Sequence, residues 1–131
     1  MKFVAYRTVI MMLTVAGGLA ISTGANQQRN NPPESVKGYL RDATCPLRYK
    51  QSMKPQGSCA MDCVKAGSPL VVLTKEGVLY FPISETNPPK DMRMLLMPFF
   101  GKYVKVTGEV FERGGTHAIS VETISEIPET D

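Results

Sequence analysis

Histidine occurs once in these 131 residues, and that scarcity removes most side-chain catalysis at a stroke. Ser58 and Asp62 lie near each other, but His117 is far along the chain on a Gly-Gly turn, so no nucleophile has a base. His117 reads as an exposed turn residue. Asp42 with Asp62 or Glu76 would be the available carboxylate pairs, and they read as isolated surface acids. The expectation is a protein that performs no catalysis. Two cysteine motifs are also missing. There is no C-x-x-C-H, which excludes covalent haem, and no C-x-x-C within a βαβ unit, which leaves a thioredoxin-type role unsupported.

Long apolar runs are missing too. Thr8 to Ser22 is uninterrupted, yet shorter than the roughly 20 residues of a spanning helix. Lys2 and Arg7 precede it and Thr23-Gly24-Ala25 follows it, so residues 1–25 read as a signal peptide. The rival is a retained anchor with its N-terminus in the cytoplasm, whose membrane contact would be residues 8–25. Either way the domain is expected outside the cytoplasm, periplasmic or secreted, or on the periplasmic side of an inner membrane. No cysteine follows the apolar run, so a lipid anchor is not indicated. Past residue 25 the chain has 13 basic residues against 12 acidic, a net charge of +1. That balance leaves no basic stripe for nucleic acid. Tyr39, Tyr80, Phe81, Phe99, Phe100, Tyr103 and Phe111 therefore read mainly as core rather than as a stacking platform.

What remains is a small β domain. Residues 26–35 are polar and proline-bearing, a linker. Val36–Thr44 reads as the first strand, with Gly38 a close-approach point. The stretch 46–57 reads as loop, and Ser58 caps a short helix from Cys59 to Ala66 that ends at Gly67. Leu70–Thr74 suits a strand buried on both faces. Lys75-Glu76-Gly77 turns the chain into Val78–Pro82. Asp91 caps a short helix whose apolar face is Met94, Leu95 and Met97, with Pro98 ending or kinking it. Tyr103–Arg113 alternates clearly, with Val104, Val106, Gly108 and Val110 on one face. Gly114-Gly115 turns it into Thr116–Ile124, and residues 128–131 form an acidic tail. Five strands with a helix between the third and fourth is the order of an OB-like Greek-key barrel. The expected class is therefore mainly all-β, over residues 36–127, with a cysteine-bearing loop-helix insertion between strands 1 and 2.

The pieces VKGYLRDATC, CAMDCVKAGSPL, KEGVLY and GKYVKVTGEV resemble a group of small exported bacterial OB-like domains. That group shares a cysteine ending strand 1, a C-x-x-x-C helix and a G-K-x-V-x-V-x-G strand. Its members often carry a histidine just before the cysteine pair, where this chain has Pro55, Gln56 and Gly57. The resemblance implies fold and export far more than chemistry.

The insertion holds all three cysteines: Cys45, Cys59 and Cys63. In an exported chain the favoured reading is a disulfide from Cys45 to Cys63 or Cys59. It would staple the insertion to the barrel and add ~2–4 kcal/mol. The odd cysteine would be a buried thiol or a link to a partner subunit. On this reading the domain is a binding or accessory module with no cofactor. Its partner would be another envelope protein, and with the leader retained it would be a single-pass subunit of a membrane complex. The alternative is a copper or zinc site built from Cys45, Cys59 and Cys63, with the thioether of Met61 or Met53 added.

Overall fold

The structure, a computed structural model, describes residues 31–49 and 57–130. The leader, residues 26–30 of the linker and Met53 lie outside the described residues. Nine elements follow in order: β1 (Glu34–Asp42), α1 (Thr44–Arg48), α2 (Gly57–Lys65), β2 (Leu70–Leu73), β3 (Leu79–Ile83), α3 (Met92–Leu96), a 3-10 turn (Met97–Phe99), β4 (Tyr103–Arg113) and β5 (Thr116–Glu126). The strands close into a barrel in the order β1-β2-β3-β5-β4. β3 and β5 run parallel, while β1–β2, β1–β4, β2–β3 and β4–β5 are antiparallel. This is a small OB-like barrel.

Closure depends on β1, which serves two neighbours. Glu34 to Tyr39 pair with β4, Tyr39 to Asp42 pair with β2, and Tyr39 belongs to both ladders. A strand bent between two partners brings backbones together, and glycine marks the places. A Cβ on Gly38 would run into the carbonyl of Leu73, and one on Gly108 into that of Ser120. Gly108 also sits at a register shift, since Thr107 faces Thr123 whereas Gly108 faces Val121. A bulge beside a missing side chain is a common way to turn a barrel corner.

The core is the inward set of the strands plus two helical contributions. Leu40, Val72, Val104, Val106 and Ile119 are fully buried, joined by Val64 of α2 and Leu96 of α3. β2 is buried along its whole length, as its continuous apolar run predicts. α3 covers one mouth of the barrel. Asp91 caps it by accepting the Arg93 amide at 2.9 Å.

Several sequence expectations need correction. The first strand starts at Glu34 and ends at Asp42, two residues earlier than its composition suggests, because Glu34 and Ser35 pair with Gly108 and Thr107. The segment expected to be loop from Pro46 begins as a helix, Thr44–Arg48; proline is tolerated there because its amide has no partner in the first turn. Of the expected apolar face Met94, Leu95 and Met97, only Met97 packs against the core. Met94 and Leu95 are exposed, whereas Leu96 is buried with Met92 and Met97 packed beside it. Only the four-residue spacing of Met92 and Leu96 keeps both on the barrel side of so short a helix. His117 is a half-buried residue of β5 rather than a turn residue, with its ring 5.3 Å from that of Tyr80. Among the aromatics Tyr39 and Tyr103 are buried edge to face at 5.1 Å, but Phe111 is exposed.

Candidate metal centre

The three cysteines come from two helices whose placement is fixed by the chain around them. α2 lays Ala60 and Val64, one turn apart, against the barrel. Its C-terminus closes with the Gly67 amide donating to the Val64 carbonyl (3.0 Å) and the Ser68 amide to that of Cys63 (2.9 Å). That is a Schellman closure, and it requires the left-handed backbone Gly67 adopts at φ +104°. Arg93 of α3 adds a donor to the Val64 carbonyl at 2.9 Å, tying the two helices together.

α1 is positioned by the same turn. The Ala43 amide donates to the Pro69 carbonyl (2.9 Å), the Thr44 amide to Ser68 Oγ (3.2 Å), and the two hydroxyls of Thr44 and Ser68 bond at 2.8 Å. These contacts clamp the start of α1 to the exit of α2. Asp42, at the end of β1, completes the corner by accepting the Cys45 amide at Oδ2, 2.8 Å away. Its other oxygen lies 3.8 Å from Arg41 Nη2, and both side chains are almost completely buried.

Asp42 is the residue that sequence reasoning misplaced. It is no surface acid but an interior carboxylate shared between a guanidinium and a helix start. The available signal was its spacing, an aspartate three residues before an amide at a strand-to-helix corner.

The outcome is convergence. The Sγ atoms of Cys45, Cys59 and Cys63 all lie within 4.8 Å of one another, and those of Cys45 and Cys63 are 4.0 Å apart. All three are free thiols: Cys45 buried, Cys63 half-buried, Cys59 exposed. Among the described residues no other trio of His, Cys, Asp or Glu side chains converges in this way, and His117 is not part of the group. The Cys45 thiol is pushed up from 9.0 to about 12, first by burial, then by the hydrogen bond and charge of Asp42, and last by Cys63.

Geometry sets what such a triangle can hold. A point equidistant from three sulfurs 4.0–4.8 Å apart lies about 2.3–2.8 Å from each, against about 2.3 Å for a metal–thiolate bond. Closing the triangle needs side-chain shifts of a few tenths of an ångström. Met61 is a poor fourth donor. It is two residues from each α2 cysteine, about 200° round the helix, so Cys59 and Cys63 leave one flank of the buried stripe and Met61 the other.

A second concavity, of about 390 Å³, is lined by Glu34, Lys37, Lys75, Glu76, Tyr80 and Tyr103 among others. Its charges are mixed in sign and single out no ligand class. No helix of the described residues is long and apolar enough to cross a membrane.

Comparison with protein-family models, curated proteins and solved structures finds no match to this chain. The functional argument therefore rests on the three sulfurs.

Proposed function

We propose that this domain binds a soft metal ion, Cu(I), through Cys45, Cys59 and Cys63. The observation that carries the reading is the sulfur triangle, every edge within 4.8 Å, assembled from two separately anchored helices. Thiolates select Cu(I) and Zn(II) among the biological metals. Structural Zn(II) is almost always four-coordinate, and Met61 is placed by helical spacing on the flank of α2 opposite Cys59 and Cys63. A three-sulfur set is complete for Cu(I) and one donor short for Zn(II). The exposed Cys59 gives the ion a way in from solvent, and the buried Cys45 fixes its inner position.

The test is anaerobic titration of the reduced chain with Cu(I) against a chromophoric Cu(I) chelator, with Zn(II) in parallel. One tightly held Cu(I) per chain is expected, with thiolate-to-copper absorption in the near ultraviolet. Cys59→Ser should weaken binding by more than the roughly 10–100-fold that loss of an outer-shell partner costs. A chain that yields all its Cu(I) to the chelator, or a Cys59→Ser variant that binds as the parent does, refutes the reading.

A second reading is an exported accessory module of the cell envelope, docked on a protein partner, or a single-pass subunit if residues 8–25 are retained. It is supported by the apolar, positively flanked leader and by exposed Leu47, Tyr49, Met94 and Leu95. N-terminal sequencing of the exported chain and co-purification from solubilised membranes test it. A chain that elutes alone and without its leader excludes the subunit form.

A further inference from the structure

Two of the three sulfurs are already a reacting pair. Cys45 Sγ and Cys63 Sγ are in contact at 4.0 Å, and they come from different helices whose approach is fixed by the Thr44–Ser68 and Ala43–Pro69 bonds. Cys59 and Cys63 share one helix face instead, with nearly parallel Cα–Cβ bonds, a poor disposition for a disulfide. Access is graded as well, since Cys45 is buried, Cys63 half-buried and Cys59 exposed.

We propose that the three-cysteine centre carries out thiol–disulfide exchange with an organic disulfide, ending with Cys45 bonded to Cys63, Cys59 left as a free surface thiol and the copper ion expelled. The release of copper rests on the metal reading above; the exchange itself does not. In the first step the Cys63 thiolate attacks one sulfur of RSSR, forming the mixed disulfide Cys63–S–S–R and releasing RS⁻. In the second, Cys45 attacks Cys63 Sγ as its proton passes to the departing RS sulfur, forming the Cys45–Cys63 bond and releasing RSH. Two electrons pass from the two thiols to RSSR, which leaves as two RSH. Copper stays Cu(I) throughout. It is lost because two of its three thiolates have become the neutral, weakly donating sulfurs of a disulfide.

Within the Cys45–Cys63 pair the order follows from access. The partner disulfide can reach Cys63, but it cannot reach buried Cys45, so the buried thiol acts as the resolving group. Cys59 lies within 4.8 Å of both and keeps its thiol once they are joined.

The experiment equilibrates the full chain, with and without Cu(I), in glutathione/glutathione-disulfide buffers of graded ratio. Samples are acid-quenched, alkylated with iodoacetamide and mapped by peptide mass spectrometry, while a chelator reports released copper. Two of three thiols should disappear together, with the Cys45 and Cys63 peptides linked, Cys59 alkylated, and copper released in step. Cys59→Ser, which spares Cys45 and Cys63, should form the same linkage. A disulfide that includes Cys59, three alkylatable thiols across the whole buffer range, or copper retained by the bonded chain overturns the proposal. Linkage of Cys45 to Cys63 in a chain that never took up copper sinks the metal reading and leaves the exchange standing.

Discussion

Asp42→Ala is the substitution that tests most directly how the centre is held in place. The Asp42 side chain is fully buried, accepts the Cys45 amide at 2.8 Å and faces Arg41 Nη2 at 3.8 Å. Removing one member of a buried ion pair costs about 3–5 kcal/mol, because the buried partner charge loses a compensating contact. The hydrogen bond from Cys45 is contained in that figure rather than added to it, because both contacts use one carboxylate. A domain of this size has only about 5–15 kcal/mol in total. The expected fall in Tm is then roughly 12–40 °C, taking 4–8 °C per kcal/mol for a domain of under 100 residues. Thermal unfolding gives the Tm and urea unfolding the free energy, both followed by far-ultraviolet circular dichroism, which suits a chain without tryptophan. Asp42→Asn keeps an acceptor for the amide and loses the charge, so it should fall between the parent and alanine. The double variant Arg41→Ala/Asp42→Ala should be less destabilised than the two singles summed, since the Arg41–Asp42 contact is then lost only once. A loss below about 1 kcal/mol for Asp42→Ala, or strict additivity in the double variant, would show that the pair does not hold this corner together.

Other consequences can be checked with the same apparatus. Because the Cys45 thiol is held at about 12 in the folded chain against 9.0 ordinarily, its contribution to stability is complete below about pH 9 and lost as pH rises toward 12. Metal-free protein should therefore weaken across that window, and Cys45→Ser should flatten the dependence. Gly67→Ala forces a side chain into left-handed backbone at the end of α2, at a cost of about 1–2 kcal/mol in urea unfolding. A milder result would mean that the Schellman closure does not fix Cys63. Leu96→Ala opens a hole under α3 and should cost about 2–5 kcal/mol; near-parent stability would contradict its place in the core.

The architecture was largely legible before any coordinates. The alternation of Val104, Val106, Gly108 and Val110, the unbroken LVVL run and the Gly-Gly turn each report a local property of the backbone, and all three survive in the barrel. The glycines at 38 and 108 announced close approaches because a side chain's absence is itself written in the sequence. The ends of elements were less legible. Glu34 and Ser35 look like linker, and become strand only because β4 offers them partners.

The character of the centre divides along the same line. Residue type and order dictate that sulfur is the chemistry on offer and that two cysteines sit one helical turn apart. The position of Asp42 could not be read this way, since burial depends on which strands close over a residue rather than on the residue itself. Nor could the 4.0 Å approach of Cys45 to Cys63, which spans 18 positions of chain. Folding brings those sulfurs together through the clamp between Thr44 and Ser68 and through the packing of Val64 on the barrel, contacts that exist only when distant segments meet.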